Sequence, residues 1–185
     1  MTTALTKNQI KIRFRHSLEW FQSDFRNSLK NHKVIQKHFG NIIASAEQGN
    51  AEAMWQTNVV YNKLVDYGLE LCAEPYQFDT EAFLELAVKQ NHFKATACLA
   101  ALMAERIDKK HPETFKKAKK LYTQAIFLCV DDKVMAGLMV DLGSIFEEQG
   151  DFTEAHSWYS KSMEKCPTNR AKKYLASCPP RSQVL

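Results

Sequence analysis

Six histidines, His16, His32, His38, His92, His111 and His156, are the side chains of this sequence best suited to bind a metal or move a proton near neutral pH. None is paired at the four-residue spacing of a zinc-binding helix, and Cys72, Cys98, Cys129, Cys166 and Cys178 lie too far apart to complete a metal site. No metal and no cofactor is expected. There is no glycine-rich phosphate loop and no serine flanked by glycines in a nucleophile elbow. The acid pairs Asp131–Asp132 and Glu147–Glu148 fall at predicted helix ends, where carboxylates offset the helix dipole or stay solvated. Catalysis is therefore not expected, and what remains is recognition chemistry. Asn58, Asn62 and Asp66 recur every four residues with Trp55 one turn before them, and Asp141, Ser144 and Glu148 form a comparable stripe. Asparagine amides both donate and accept, which suits the backbone of a bound peptide. Ordinary solvated helix faces are the alternative reading of both stripes.

The elements that carry these stripes are helical. From Met135 to Asn169, Met139, Leu142, Gly143 and Phe146 share one helix face, and Ala155, Trp158, Tyr159, Ser162 and Met163 share another. Between them Gln149, Gly150 and Asp151 break the run: glycine takes the left-handed conformation that ends a helix, and Asp151 caps the next one. Pro167 closes the unit. Weaker copies recur upstream. Phe83, Leu84, Ala87 and Val88, then Leu121, Tyr122, Ala125 and Ile126, repeat the pattern of Trp158, Tyr159, Ser162 and Met163. The small residues Ser45, Ala87, Ala125 and Ser162 are separated by 42, 38 and 37 residues. In the first helices Ala104 and Ile107 are expected to play the parts of Gly143 and Phe146, whereas the Ala53 to Leu71 segment fits only loosely. A helix pair of this size buries its apolar face only by stacking on neighbouring pairs.

Leu142, Gly143, Phe146, Ala155, Tyr159, Ser162 and Pro167 resemble a tetratricopeptide repeat, with Ser162 in place of the usual alanine. The segment from Ser45 to Ala53, SAEQGNAEA, resembles the helix ends of the longer Sel-one-like variant. The resemblance spans roughly residues 40 to 175. It implies an all-α fold, a right-handed superhelical solenoid of stacked antiparallel helix pairs with about nine helices. It also implies that a partner lies on the concave side against the first helices. Trp55, Asn58, Asn62, Asp66, Asp141, Ser144 and Glu148 would then line a polar, partly acidic groove for a basic or extended segment. Proteins similar to this one serve as scaffolds, adaptors, chaperone cofactors and, in bacteria, effectors or immunity proteins. The expected partner is accordingly another protein or peptide.

Three regions follow from the patterning: residues 1–45 as basic amphipathic helices that cap the stack, 46–177 as repeats, and 178–185 as a flexible tail. With 45% hydrophobic residues, the 185-residue chain is expected to form one elongated domain. Gly49, Pro75, Pro112, Gly150 and Pro167 mark the inferred turns. The net charge of +4 is unevenly spread. Residues 1 to 46 hold eight Lys or Arg against Glu19 and Asp24, a net +6, whereas residues 47 to 104 hold three against eight acids, a net −5. Lys109, Lys110, Lys116, Lys117, Lys119 and Lys120 cluster around Pro112. Lys11, Arg13, Arg15, Arg26, Lys116 and Lys120 are the candidate basic patch, which would steer an acidic partner, nucleic acid or an anionic membrane. Ile10, Phe14, Leu18, Phe21, Phe25 and Leu29 form an apolar stripe opposite Lys11, Arg13 and Arg26. Capping the stack, lying on a membrane, and docking on a partner or a second copy each satisfy that stripe. A sequence pI near 8.7 is below that of a dedicated nucleic-acid domain. No apolar run is long enough to span a bilayer, and the scattered early Lys and Arg predict no signal peptide. An odd number of dispersed cysteines predicts reduced thiols and a cytoplasmic location.

Overall fold

The computed structural model describes residues 5–74, 76, 78–108 and 112–178. Pro75, Lys109, Lys110, His111 and the 179–185 part of the expected tail lie outside the described residues. Among the described residues there are nine α-helices and no strand. They are α1 (Lys7–Ser23), α2 (His32–Glu47), α3 (Ala51–Asp66), α4 (Thr80–Lys89), α5 (Phe93–Glu105), α6 (Pro112–Leu128), α7 (Asp132–Glu148), α8 (Phe152–Lys165) and α9 (Asn169–Ser177). Where one elongated domain is expected, the chain divides into two compact units, Met1–Ala95 and Thr96–Leu185.

Each unit is built from helices that pack against their neighbours in sequence. In the first, α1 lies on α2, α2 on α3 and α3 on α4; in the second, α6 lies on α7, α7 on α8, and α9 on both α8 and α7. Short turns at 48–50 and 149–151 fold consecutive helices into antiparallel hairpins. At the second of these, Gly150 takes φ +80 and the Asp151 carboxylate accepts the Glu154 N–H at 3.1 Å, so one turn both ends α7 and caps α8. Asn50 caps α3 in the same way through the Ala53 N–H at 3.2 Å.

The small residues sit where the helices press together. Ser45, Ala87, Ala125 and Ser162 are all buried, as are Leu84, Leu121, Tyr122 and Tyr159 beside them. Ser162 Oγ donates to the Ala136 carbonyl at 2.8 Å, so the serine found at this position ties α8 to α7 rather than merely leaving room. Tyr159 packs over Gly143 and donates its hydroxyl to Glu147 Oε2 at 2.6 Å.

Three local expectations differ. The apolar stripe from Ile10 to Leu29 does not lie on one helix: α1 stops at Ser23 and a 3-10 turn, Phe25–Ser28, follows. Ser23 Oγ donates to Glu19 O and to Asp24 Oδ2 at 2.6 Å, giving the chain a local alternative to further helix. Phe14, Phe21 and Phe25 are nevertheless all buried within the first unit. The loose segment ending at Leu71 is α-helical only to Asp66, with a 3-10 turn at Glu70–Cys72, because Gly68 at φ +64 turns the chain and the Leu69 N–H closes onto Leu64 O at 2.7 Å. Ile107, expected to act as Phe146 does, lies beyond the last residue of α5.

Candidate functional site

The strongest sequence candidate is the outward stripe of α3. Trp55 is half-buried, Asn58 is only 5% exposed, and Asn62 and Asp66 are exposed. Asn62 Nδ2 donates to Asn58 Oδ1 at 3.4 Å, so the structure does bring these two amides together. The burial of Asn58 changes its expected part: it belongs to the packing of α3, and the residues of this stripe open to a partner are Trp55, Asn62 and Asp66.

Trp55 is furnished by residues that its sequence neighbours do not reveal. The Lys94 ammonium stands 4.4 Å from the centre of the indole, and the His92 ring lies 6.1 Å away. His92 Nδ1 accepts the Ala95 N–H at 3.2 Å and thereby caps the start of α5. That bond leaves Nε2 as the protonated nitrogen of the neutral ring, and it reaches Glu52 Oε2 at 3.0 Å. Glu52 also accepts from Gln56 Nε2 at 3.0 Å. Burial raises the Glu52 pKa, but the hydrogen bonds from Gln56 and His92 and the charge of Lys94 outweigh it, and the carboxyl is held below its ordinary value. Trp55 thus stands beside a fixed polar frame made by Glu52 and Gln56 of its own helix with His92 and Lys94.

In the second unit the stripe on α7 is largely occupied. Asp141 is ion-paired with Arg170 of α9, and Ser144 Oγ donates to the Asp141 carbonyl at 2.8 Å. Of the three, Glu148 alone is exposed. Arg170 also lies 5.8 Å from the Tyr174 ring. Beneath this pair, burial first and the Asp141 charge second push the Tyr122 hydroxyl up to about 12. The α7 residues therefore secure α9 more than they present a groove. Arg170 was invisible as a partner of Asp141 because the two residues stand 29 positions apart.

The basic candidates are all exposed, and the two sets belong to different units. Lys11, Arg13 and Arg15 stand on α1 with Arg26 on the following 3-10 turn; Lys116 and Lys120 stand on α6. Lys116 pairs with Glu113 at 2.9 Å, an exposed contact of little energetic weight. The face of α1 that would enter a membrane is instead the face packed inside the first unit, where Trp20 stacks on His38 with ring centres 4.3 Å apart. No helix among the described residues is long and apolar enough to cross a membrane. Among the described residues no group of three or more His, Cys, Asp or Glu is placed to hold a metal ion, and the five cysteines form no disulfide. A scan against protein-family models gives no match, and no curated protein matches the chain.

Proposed function

We propose that this protein is a non-catalytic interaction scaffold that holds a protein or peptide on its helical-repeat surface. Its antiparallel pairs are read as tetratricopeptide-like and Sel-one-like repeats, wound within each unit as a right-handed superhelical stack. The observation that carries the reading is the conversion of the repeated small residues into interhelical joints: Ser45, Ala87, Ala125 and Ser162 are all buried. Repeats stacked in this manner leave one face of each helix outward at a fixed spacing, which is what a long peptide or protein surface needs for recognition.

On α3 that outward face carries Trp55, Asn62 and Asp66. An aromatic half-buried under Lys94 offers apolar area with little rotamer freedom left to lose. Asn62 supplies backbone hydrogen bonds and Asp66 favours a basic neighbour, so the preferred occupant is an extended or helical segment with basic residues. Affinity capture from a cell extract with the wild type and with an Asn62→Ala/Asp66→Arg variant tests this site. Both positions are exposed, so the variant keeps its core, and the reading expects it to lose a protein that the wild type retains. Identical protein recovery by the two forms would overturn the α3 site.

A further inference from the structure

The second unit carries a groove of different chemistry. It lies between α6 and α8, has a volume of about 690 Å³, and is floored by Phe146 with Phe127 and Trp158 on its walls. Phe127 is 87% exposed, and Val130 just beyond it is 98% exposed. A benzyl group left almost wholly in water beside an apolar groove is the kind of surface that a partner covers. The charges around it have one dominant sign. Lys119 and Lys120 line the groove, and Lys161 stands over the Trp158 ring at 4.2 Å. Lys119 lies 6.0 Å and 5.8 Å from the rings of Phe115 and Phe146. None of these three lysines forms an ion pair among the described residues. The indole N–H of Trp158 is shielded from water and has no hydrogen-bond partner among the described residues.

We propose that this groove docks an acidic amphipathic segment of a partner protein, with apolar side chains against Phe127, Phe146 and Trp158 and carboxylates on Lys119, Lys120 and Lys161. The proposal rests on the scaffold reading above but names a separate site and an opposite charge preference. Charge complementarity selects the occupant. An apolar floor takes apolar anchors, and unpaired ammonium groups on its rim take carboxylates. A continuous polyanion fits less well, because Glu154 also lines the groove and Glu113 stands on α6 beside Lys116. A flat lipid surface would not fill a concave site between two helices. A helix laid in the groove meets it through apolar residues at i, i+3, i+4 and i+7, with acids on its flanks.

The test uses the full chain and a fluorescent synthetic helix with Leu and Phe at those positions and Glu at the flanks. A second peptide replaces every Glu by Lys. The acidic peptide is expected to bind, and the lysine peptide to bind at least about tenfold more weakly. Phe127→Ser and Lys119→Glu/Lys120→Glu are each expected to weaken the acidic peptide about tenfold, and only the lysine variant should flatten its salt dependence. Both sites are at the surface, and circular dichroism of each variant verifies its fold. The Asn62→Ala/Asp66→Arg variant should bind the acidic peptide as the wild type does, which separates this groove from the α3 site. Absence of acidic-peptide binding, equal binding of the lysine peptide, or indifference to Phe127→Ser overturns the proposal. So does the discovery that Phe127→Ser abolishes instead self-association, adhesion to anionic vesicles or binding of single-stranded RNA.

Discussion

Replacing Gly143 by alanine should destabilise the protein by about 2–4 kcal/mol, although alanine is the better helix former. A methyl group added there would stand 2.5 Å from Cε1 and 2.7 Å from Cδ1 of Tyr159. Carbon atoms attract at about 3.5–4.0 Å, so the ring or one of its helices must move by about 1 Å. Tyr159 has little freedom to yield: it is fully buried, its hydroxyl is bonded to Glu147 at 2.6 Å, and its ring centre lies 5.3 Å from that of Tyr174. Overpacking of this kind costs about 1–3 kcal/mol. Disturbing a hydrogen bond to a carboxylate adds about 1.5–3 kcal/mol. The helix propensity of alanine returns about 1 kcal/mol, which leaves about 1.5–5 kcal/mol, and the stated loss is the middle of that range. Gly137 on the same helix is the control, because nothing lies within 4 Å of a methyl group built on it. Gly137→Ala should therefore stabilise by about 0.5–1 kcal/mol. Urea unfolding followed by far-ultraviolet circular dichroism reads both differences, and heating should show Gly143→Ala melting lower by about 4–16 °C. If the two variants shift stability in the same direction, the close approach of α7 and α8 at Gly143 is wrong.

Three further outcomes follow from the side-chain environments. Glu52 has a depressed folded pKa, so its stabilising effect is present above the unfolded carboxylate value and is lost as pH falls through the folded one. Glu52→Gln should accordingly flatten the acid limb of a stability-against-pH curve, and parallel limbs would exclude this role for Glu52. Burial raises the hydroxyl pKa of Tyr76 and Tyr122, and burial with the Glu147 bond raises that of Tyr159. Their contribution is complete below the unfolded tyrosine value of about 10 and is lost as pH rises through the folded values. An absorbance titration should show these three ionising above the unfolded tyrosine value, and ionisation of all six tyrosines at that value would contradict it. Ser162→Ala should cost about 0.5–1.5 kcal/mol by removing the bond to the Ala136 carbonyl, and an unchanged urea midpoint would show that the bond contributes nothing.

The comparison between α3 and α7 shows why matching polar stripes in a sequence need not become matching sites. Both have the same helical spacing, yet Asn58 is buried under its neighbours and Asp141 is taken by Arg170, whereas Asn62, Asp66 and Glu148 remain open. Spacing places residues on one face of a helix. It does not say which other helix covers that face, or where along it the cover ends.

What the sequence alone determined is the local architecture: the helical segments, the turn at Gly150, the cap at Asp151, and the small residues at the helix crossings. Each depends on interactions within about four residues or on the 3.6-residue period, and both are written directly into the order of the chain. The tertiary structure decided the rest: the burial of Asn58, the ion pair of Asp141 with Arg170, the ammonium of Lys94 over Trp55, and the apolar groove under Phe127. Those depend on which surfaces meet after the helices pack, and residues so far apart in the chain carry no shared period that would announce the meeting.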